Sequence, residues 1–142
     1  MNTSQMLLVM VAMVLFSSLF INSISNISDH SEIAYKAHYL LQGHKIAERY
    51  FEKIEAEMLG GLYDFDDILV KYAEFDTTFT IQNSDYYVNI ETNLCNLNGN
   101  IDDPQPDFQR IDIRIECSYY DDILQIGTTE NPLSKVFADM EL

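Results

Sequence analysis

At 142 residues and a net charge of −15, the chain is long enough for one modest core plus an appendage, and too short for two domains. Nearly all of the acidic excess lies after Gly61. An acidic body repels phosphate backbones and anionic lipid heads, which excludes nucleic acid as a partner and membrane recognition of the polybasic type.

In chain order, Asn2, Thr3 and Ser4 offer acceptors that can cap a helix, and Gln5 is the last polar side chain before a long apolar run. That run, Met6–Ile21, reads MLLVMVAMVLFSSLFI, and no charge occurs before Asp29. A globular domain covers one stripe of a helix, so a helix apolar on its whole circumference crosses a bilayer or lies among like helices. Continued through Asn22, Ser23, Ser25 and Asn26 to Ile27, the run has about 22 residues and spans roughly 33 Å, the thickness of a hydrocarbon core. No Lys or Arg precedes it, as one would in a signal peptide, although Ser23-Ile24-Ser25 offers a poor small-x-small cleavage site. The expected division is 1–28 as an apolar helix, serving as membrane anchor or filament core, and 29–142 as a globular domain.

Residues 29–59 have the pattern of an amphipathic helix. Ala34, Ala37, Leu41, Ala47, Phe51, Ile54 and Met58 recur at threes and fours with His44 in the gap, and Gly60-Gly61 ends the helix. Residues 62–75 read as a connector with a short helical turn. Strands are expected at Thr77–Gln82, Tyr86–Leu94, Phe108–Cys117 and Ile123–Ile126, the last after an Asp121-Asp122 turn. The clearest is the third, where Ile111, Ile113 and Ile115 alternate with Arg110, Asp112, Arg114 and Glu116. Short links and one-sided burial make the sheet antiparallel, within 76–142. The fold class is therefore α+β, a long N-terminal helix packed on an antiparallel sheet of about four strands.

Catalytic constellations are thin, and no enzymatic activity, cofactor or metal is expected. His30, His38 and His44 all fall on the helix; His44 and Glu48 sit one turn apart without a third ligand. There is no Gly-rich phosphate loop, nucleophile elbow or Cys-x-x-Cys. The stretch Asn96–Asp103 with Asp107 is rich in hard oxygens, so Asn98, Asn100, Asp102, Asp103 and Asp107 form a candidate calcium loop; a plain turn between strands explains it equally. Cys95 and Cys117 lie at strand ends with opposed nominal parity. A bulge could bring them to one face for a disulfide; the alternative is two separately buried thiols.

In layout the chain resembles a type IV pilin or pseudopilin: an apolar N-terminal helix without flanking positive charge, an amphipathic continuation, then an antiparallel sheet. The resemblance implies a structural subunit of an extracellular filament, held in the inner membrane as a single-pass protein before assembly at the cell surface. Its partners would be copies of itself or other pilin-like subunits. In that family a leader is removed and a glutamate five residues into the mature chain neutralises a neighbour's amino terminus. Here the corresponding residue is Gln5, which can hydrogen-bond an amine but not neutralise it, so the chain looks most like the divergent, leaderless members. The assembly or membrane helix would act through Gln5, Met6, Leu7, Leu8, Val9, Val11, Leu15, Phe16, Leu19 and Phe20. The competing reading is a single-pass membrane protein whose acidic extracytoplasmic domain binds a partner and never polymerises.

Overall fold

A computed structural model describes residues 2–120 and 122–139. Helix α1 runs from Thr3 to Leu59, and the Asn/Ser interlude at 22–28 stays helical within it. It is followed by α2 (Phe65–Lys71) and five strands: β1 (Phe75–Ile81), β2 (Ser84–Cys95), β3 (Gln105–Tyr119), β4 (Asp122–Ile126) and β5 (Leu133–Ala138). The chain forms two units, Met1–Ala37 and His38–Leu142. In the first, the residues from Thr3 on are helical and exposed, apart from a half-buried Lys36. Ala34 and Ala37 of the expected stripe are exposed, and burial on α1 begins later.

In the second unit the end of α1 lies on one face of the sheet. Its buried residues are Gly43, Ile46, Ala47, Tyr50 and Ile54, with Phe51 and Met58 partly buried against the same core. The expected stripe is thus correct at Ala47, Phe51, Ile54 and Met58, but it is out of phase before them. Leu41 and His44 face solvent, and Gly43 takes the inward place. A Cβ at Gly43 would stand 2.4 Å from Cδ1 of Ile126, so it is the missing side chain that lets the helix approach the sheet this closely.

The helix ends as its glycines dictate. Gly61 has φ of 65°, its N–H donates to Met58 O at 3.1 Å, and Leu62 N–H donates to Glu57 O at 3.1 Å. This pair of bonds is a Schellman motif, which satisfies the last helical carbonyls. The connector then folds back, with Ile68 of α2 and Tyr72 just after it fully buried. Glu57 fixes it, accepting from Lys71 Nζ at 2.8 Å and Tyr72 Oη at 3.0 Å. From the sheet side, Thr92 Oγ1 donates to Leu69 O at 2.8 Å and the buried Gln109 Nε2 to Phe65 O at 3.2 Å.

All pairings in the sheet are antiparallel. The order is β1-β2-β3-β4, and β5 also pairs with β3. A two-residue turn with φ of 50° at Gln82 and 65° at Asn83 joins β1 to β2, the conformation that suits the twist of a hairpin. Gln82 therefore belongs to the turn, not to the expected first strand. Tyr86, Val88, Ile90, Ile111, Ile113 and Ile115 form the buried face, in the parity read from the sequence.

Beyond the four expected strands, the structure has β5. Ile126 pairs with Ile115 and Leu133 with Ile113. Because β2 occupies the other side of β3, β4 and β5 run end to end along one side, interrupted by the loop Gly127–Pro132 opposite Arg114. The reason β5 is hard to read lies in Lys135. It pairs with Ile111, a core-face position, yet its ammonium reaches Glu55 Oε2 on α1 at 2.6 Å. A charge standing at an inward register breaks the period-two signal. The expected Asp121-Asp122 turn falls partly outside the described residues, at Asp121, as does the end of the expected sheet range, 140–142.

The tight seat of Gly43 is open to test. Gly43→Leu should lower stability by about 1–3 kcal/mol through overpacking, read as a fall in the urea midpoint. Gly43→Ala should be close to neutral, since about 1 kcal/mol of helix propensity offsets the displaced tip of Ile126. A leucine variant with the wild-type midpoint would contradict the close approach.

Candidate functional site

The residues assigned to assembly or membrane contact all lie on one helical segment. Asn2 precedes the helix, and its N–H donates to Oε1 of Gln5 at 3.4 Å, half of a capping box. Gln5 is thus engaged at its own helix end, and the first turn carries no acidic residue. From Met6 on, every apolar side chain of the run is open: Leu8 and Phe16 are each 70% exposed, and Val9, the least, still 42%. Phe16 and Phe20 stack one turn apart, with centroids 6.2 Å apart and planes 13° from parallel. The helix is long and apolar enough to cross a membrane, and none of its most apolar window is buried. Leu7, Val11, Leu15 and Leu19 fill the intervening positions, so the apolar surface has no polar side in this stretch.

The candidate calcium loop is a self-contained turn. Asn96 Oδ1 accepts from the N–H of Asn98 and of Asn100, each at 3.0 Å, and Asn100 Oδ1 accepts from Asp102 N–H at 2.9 Å. Gly99, with φ of 78°, closes the turn with its N–H on Asn96 O at 2.8 Å. Of the two amides expected to face an ion, Asn100 has its oxygen engaged with backbone and Asn98 spends its N–H on Asn96, while Asp102, Asp103 and Asp107 are exposed. Among the described residues no group of three His, Cys, Asp or Glu side chains gathers to hold a metal. Arg110 clamps the turn instead. Its Nη1 donates to Gly99 O at 2.9 Å, and Nε and Nη2 hold Asp112 Oδ2 at 3.1 and 2.7 Å. Ser134 Oγ on β5 donates to the other Asp112 oxygen at 2.5 Å.

The two cysteines are not brought together. The ladder slips between Leu94 and Cys95, so Cys95 is buried despite its nominal parity. Along the strand, however, Cys117 pairs with Tyr86 and Cys95 with Gln105. The stretch from Tyr86 to Cys95 is roughly 30 Å at about 3.3 Å per residue, whereas a disulfide requires Cα atoms within about 7 Å. The structure therefore replaces the candidate bridge with two separate free thiols. Burial pushes both thiols up from their ordinary pKa, which keeps them protonated and unreactive.

The histidines and Glu48 lie exposed on α1; His38 Nε2 is 3.0 Å from Gln42 Nε2. The sheet surface adds two concavities that the sequence does not reveal. Beside the interrupted edge strand, Tyr87, Asn89, Arg114, Glu116 and Gln125 line a polar hollow of about 250 Å3. Arg114 is engaged there, with Nε on Asn89 Oδ1 at 2.9 Å and an ion pair to Glu91. Between α1 and β1, Ile46, Tyr50, Phe79 and Ile81 line an apolar groove, also of about 250 Å3, flanked by Arg49 and Lys53.

One carboxylate is tuned by its surroundings. Burial alone would raise the pKa of Glu57, but the hydrogen bonds from Lys71 and Tyr72 and the charges of Lys71 and Lys53 outweigh it, so the value is lowered. Burial, and then the bond to Glu57, push the Tyr72 phenol up to about 12.

Compared with models of protein families, with curated proteins and with solved structures, the chain matches none.

Two measurements test this geometry. A carboxyl whose pKa is lowered on folding stabilises above its unfolded value near 4.3, and that contribution is lost as the pH falls through the folded value. Glu57→Gln should therefore cost about 1–3 kcal/mol at pH 7, and its unfolding curve should converge on that of the wild type below about pH 4. For the thiols, maleimide should label Cys95 and Cys117 only after denaturation, and reductant should leave the melting temperature unchanged. A melting temperature that falls on reduction would contradict the separation of the two thiols.

Proposed function

We propose that this chain is a structural subunit of an extracellular filament of the type IV pilin kind, assembled through the apolar half of α1. The observation that carries the reading is the segment from Met6 to Ile27, an apolar helix whose most apolar window has nothing buried within its own chain. At ~25 cal/mol per Å2, removing such a run of mostly large apolar side chains from water yields well over about 10 kcal/mol per copy, enough to hold copies side by side. The helical fit is sound in lipid as well, because an α-helix satisfies its backbone internally. The inner membrane would shelter the segment before assembly and like helices afterwards. The polar, acidic sheet unit stays in water at the cell surface, in a structural and not a catalytic role.

A second reading rests on a specific observation. The first turn of α1 has no carboxylate, and Gln5 is engaged by Asn2, so nothing there neutralises the amine of a neighbour. Under that reading α1 is only an anchor, and the acidic domain binds a partner as a single-pass membrane protein.

Electron microscopy of sheared surface material, labelled with antibody to the region 62–142, separates the two. Labelled filaments support the first; label confined to membrane vesicles sinks it in favour of the anchor. Val11→Asp, which places a charge on the apolar surface, should abolish filaments and sharply reduce membrane retention, measured by fractionation.

A further inference from the structure

The chain has eight Lys and Arg against 23 Asp and Glu, so each cation is expected to find a carboxylate. Most do: Lys36–Glu32 at 3.0 Å, Lys71–Glu57 at 2.8 Å, Arg110–Asp112 at 2.7 Å, Lys135–Glu55 at 2.6 Å, and Arg114 with Glu91. The exceptions sit together. Lys53 approaches Glu57 only to 3.9 Å, and Lys45 and Arg49 have no carboxylate partner among the described residues. These three lie one turn apart on one side of α1. Arg49 and Lys53 border the apolar groove of Ile46, Tyr50, Phe79 and Ile81, where Phe79 is left 40% exposed. Beside it runs β1, which among the described residues has a strand partner on one side only, β2.

The same unit carries the complement elsewhere. On α2, Asp66 and Asp67 stand one turn from Val70, which at 78% is among the most exposed apolar side chains of the chain. Asp66 has no partner among the described residues. An apolar tip with two carboxylates at its base matches an apolar groove with two cations at its rim.

We propose that the groove receives α2 of a second copy, with Val70 against Phe79 and Ile81, and Asp66 and Asp67 facing Arg49 and Lys53. This deepens the filament reading and rests on it. Groove and ridge share no residue, so each copy can offer its ridge to one neighbour and its groove to another. Such a head-to-tail contact, if its rotation does not close, propagates as an open filament. The buried charges supply register and direction, while the apolar helices supply the bulk of the holding energy.

The test uses the full-length chain in lipid bilayers. Copies carrying Arg49→Cys are mixed with copies carrying Asp66→Cys under mild oxidation; Cys95 and Cys117 are buried and stay silent. The mixed dimer should exceed either variant alone by about tenfold, because only the mixture brings a groove thiol and a ridge thiol within the roughly 7 Å between Cα atoms that a disulfide allows. Independently, Arg49→Glu should weaken self-association by a similar factor, and adding Asp66→Arg to it should restore assembly. A mixed dimer no more abundant than the homodimers overturns the proposal. So does rescue by Asp102→Arg in place of Asp66→Arg, which would move the contact to the Asn96–Asp103 turn. Wild-type filaments with no mixed dimer remove this contact and leave the filament reading standing. A wild-type chain that never self-associates removes both.

Discussion

A helix whose backbone bonds are all internal still has to dispose of its side chains, and in this protein that requirement falls unequally along α1. From Gly43 onward the helix has a sheet to cover. Ile46, Ala47, Tyr50 and Ile54 are removed from water against the isoleucine rows of β2 and β3. Before residue 38, the side chains from Met6 to Ile27 are just as apolar and nothing in their own unit covers them. One continuous helix thus pairs a satisfied stretch with an unsatisfied one. The hydrophobic effect scales with the area left in water, so the second stretch is the larger debt and calls for lipid or for other copies.

Around the apolar core of the sheet unit, polar groups are used in pairs that cross between elements. Glu57 joins the end of α1 to the connector through Lys71 and Tyr72, and Glu55 ties α1 to β5 through Lys135. On the outer face, Arg110 links β3, the Gly99 turn and, through Asp112, Ser134 of β5. Most cations in an otherwise acidic chain therefore work as internal fasteners. Against that background, Lys45 and Arg49 stand out as positive groups without a carboxylate partner among the described residues.

Legibility followed locality. The candidate assembly helix is plain in the sequence, since sixteen successive uncharged residues from Met6, apolar but for Ser17 and Ser18, need no partner to be recognised. The third strand and the glycine stop at Gly60-Gly61 are legible for the same reason, each being a pattern within a few residues, whereas the β1–β2 turn at Gln82-Asn83 is not marked and the expected first strand runs into it. The bond between Asn2 and Gln5 at the head of the run depends on where the helix starts, which composition does not say. The candidate calcium oxygens looked convergent because composition counts acceptors without saying which N–H groups lie nearby.

What the sequence determined by itself was the apolar run, the acidic body and the alternation that makes the sheet, because side-chain chemistry and period are properties of neighbouring residues. The inward face of α1 is legible from Ala47 on, but only the tertiary structure decided its phase before that, and it did so through Gly43, a residue that no hydrophobic pattern counts. Only it revealed β5, whose inward Lys135 escapes to Glu55 on a helix 80 positions earlier. Only it separated Cys95 from Cys117, because pairing register fixes where along a ladder a residue stands, and parity does not. Each of these rests on contacts between residues far apart in the chain, and no local pattern carries that distance.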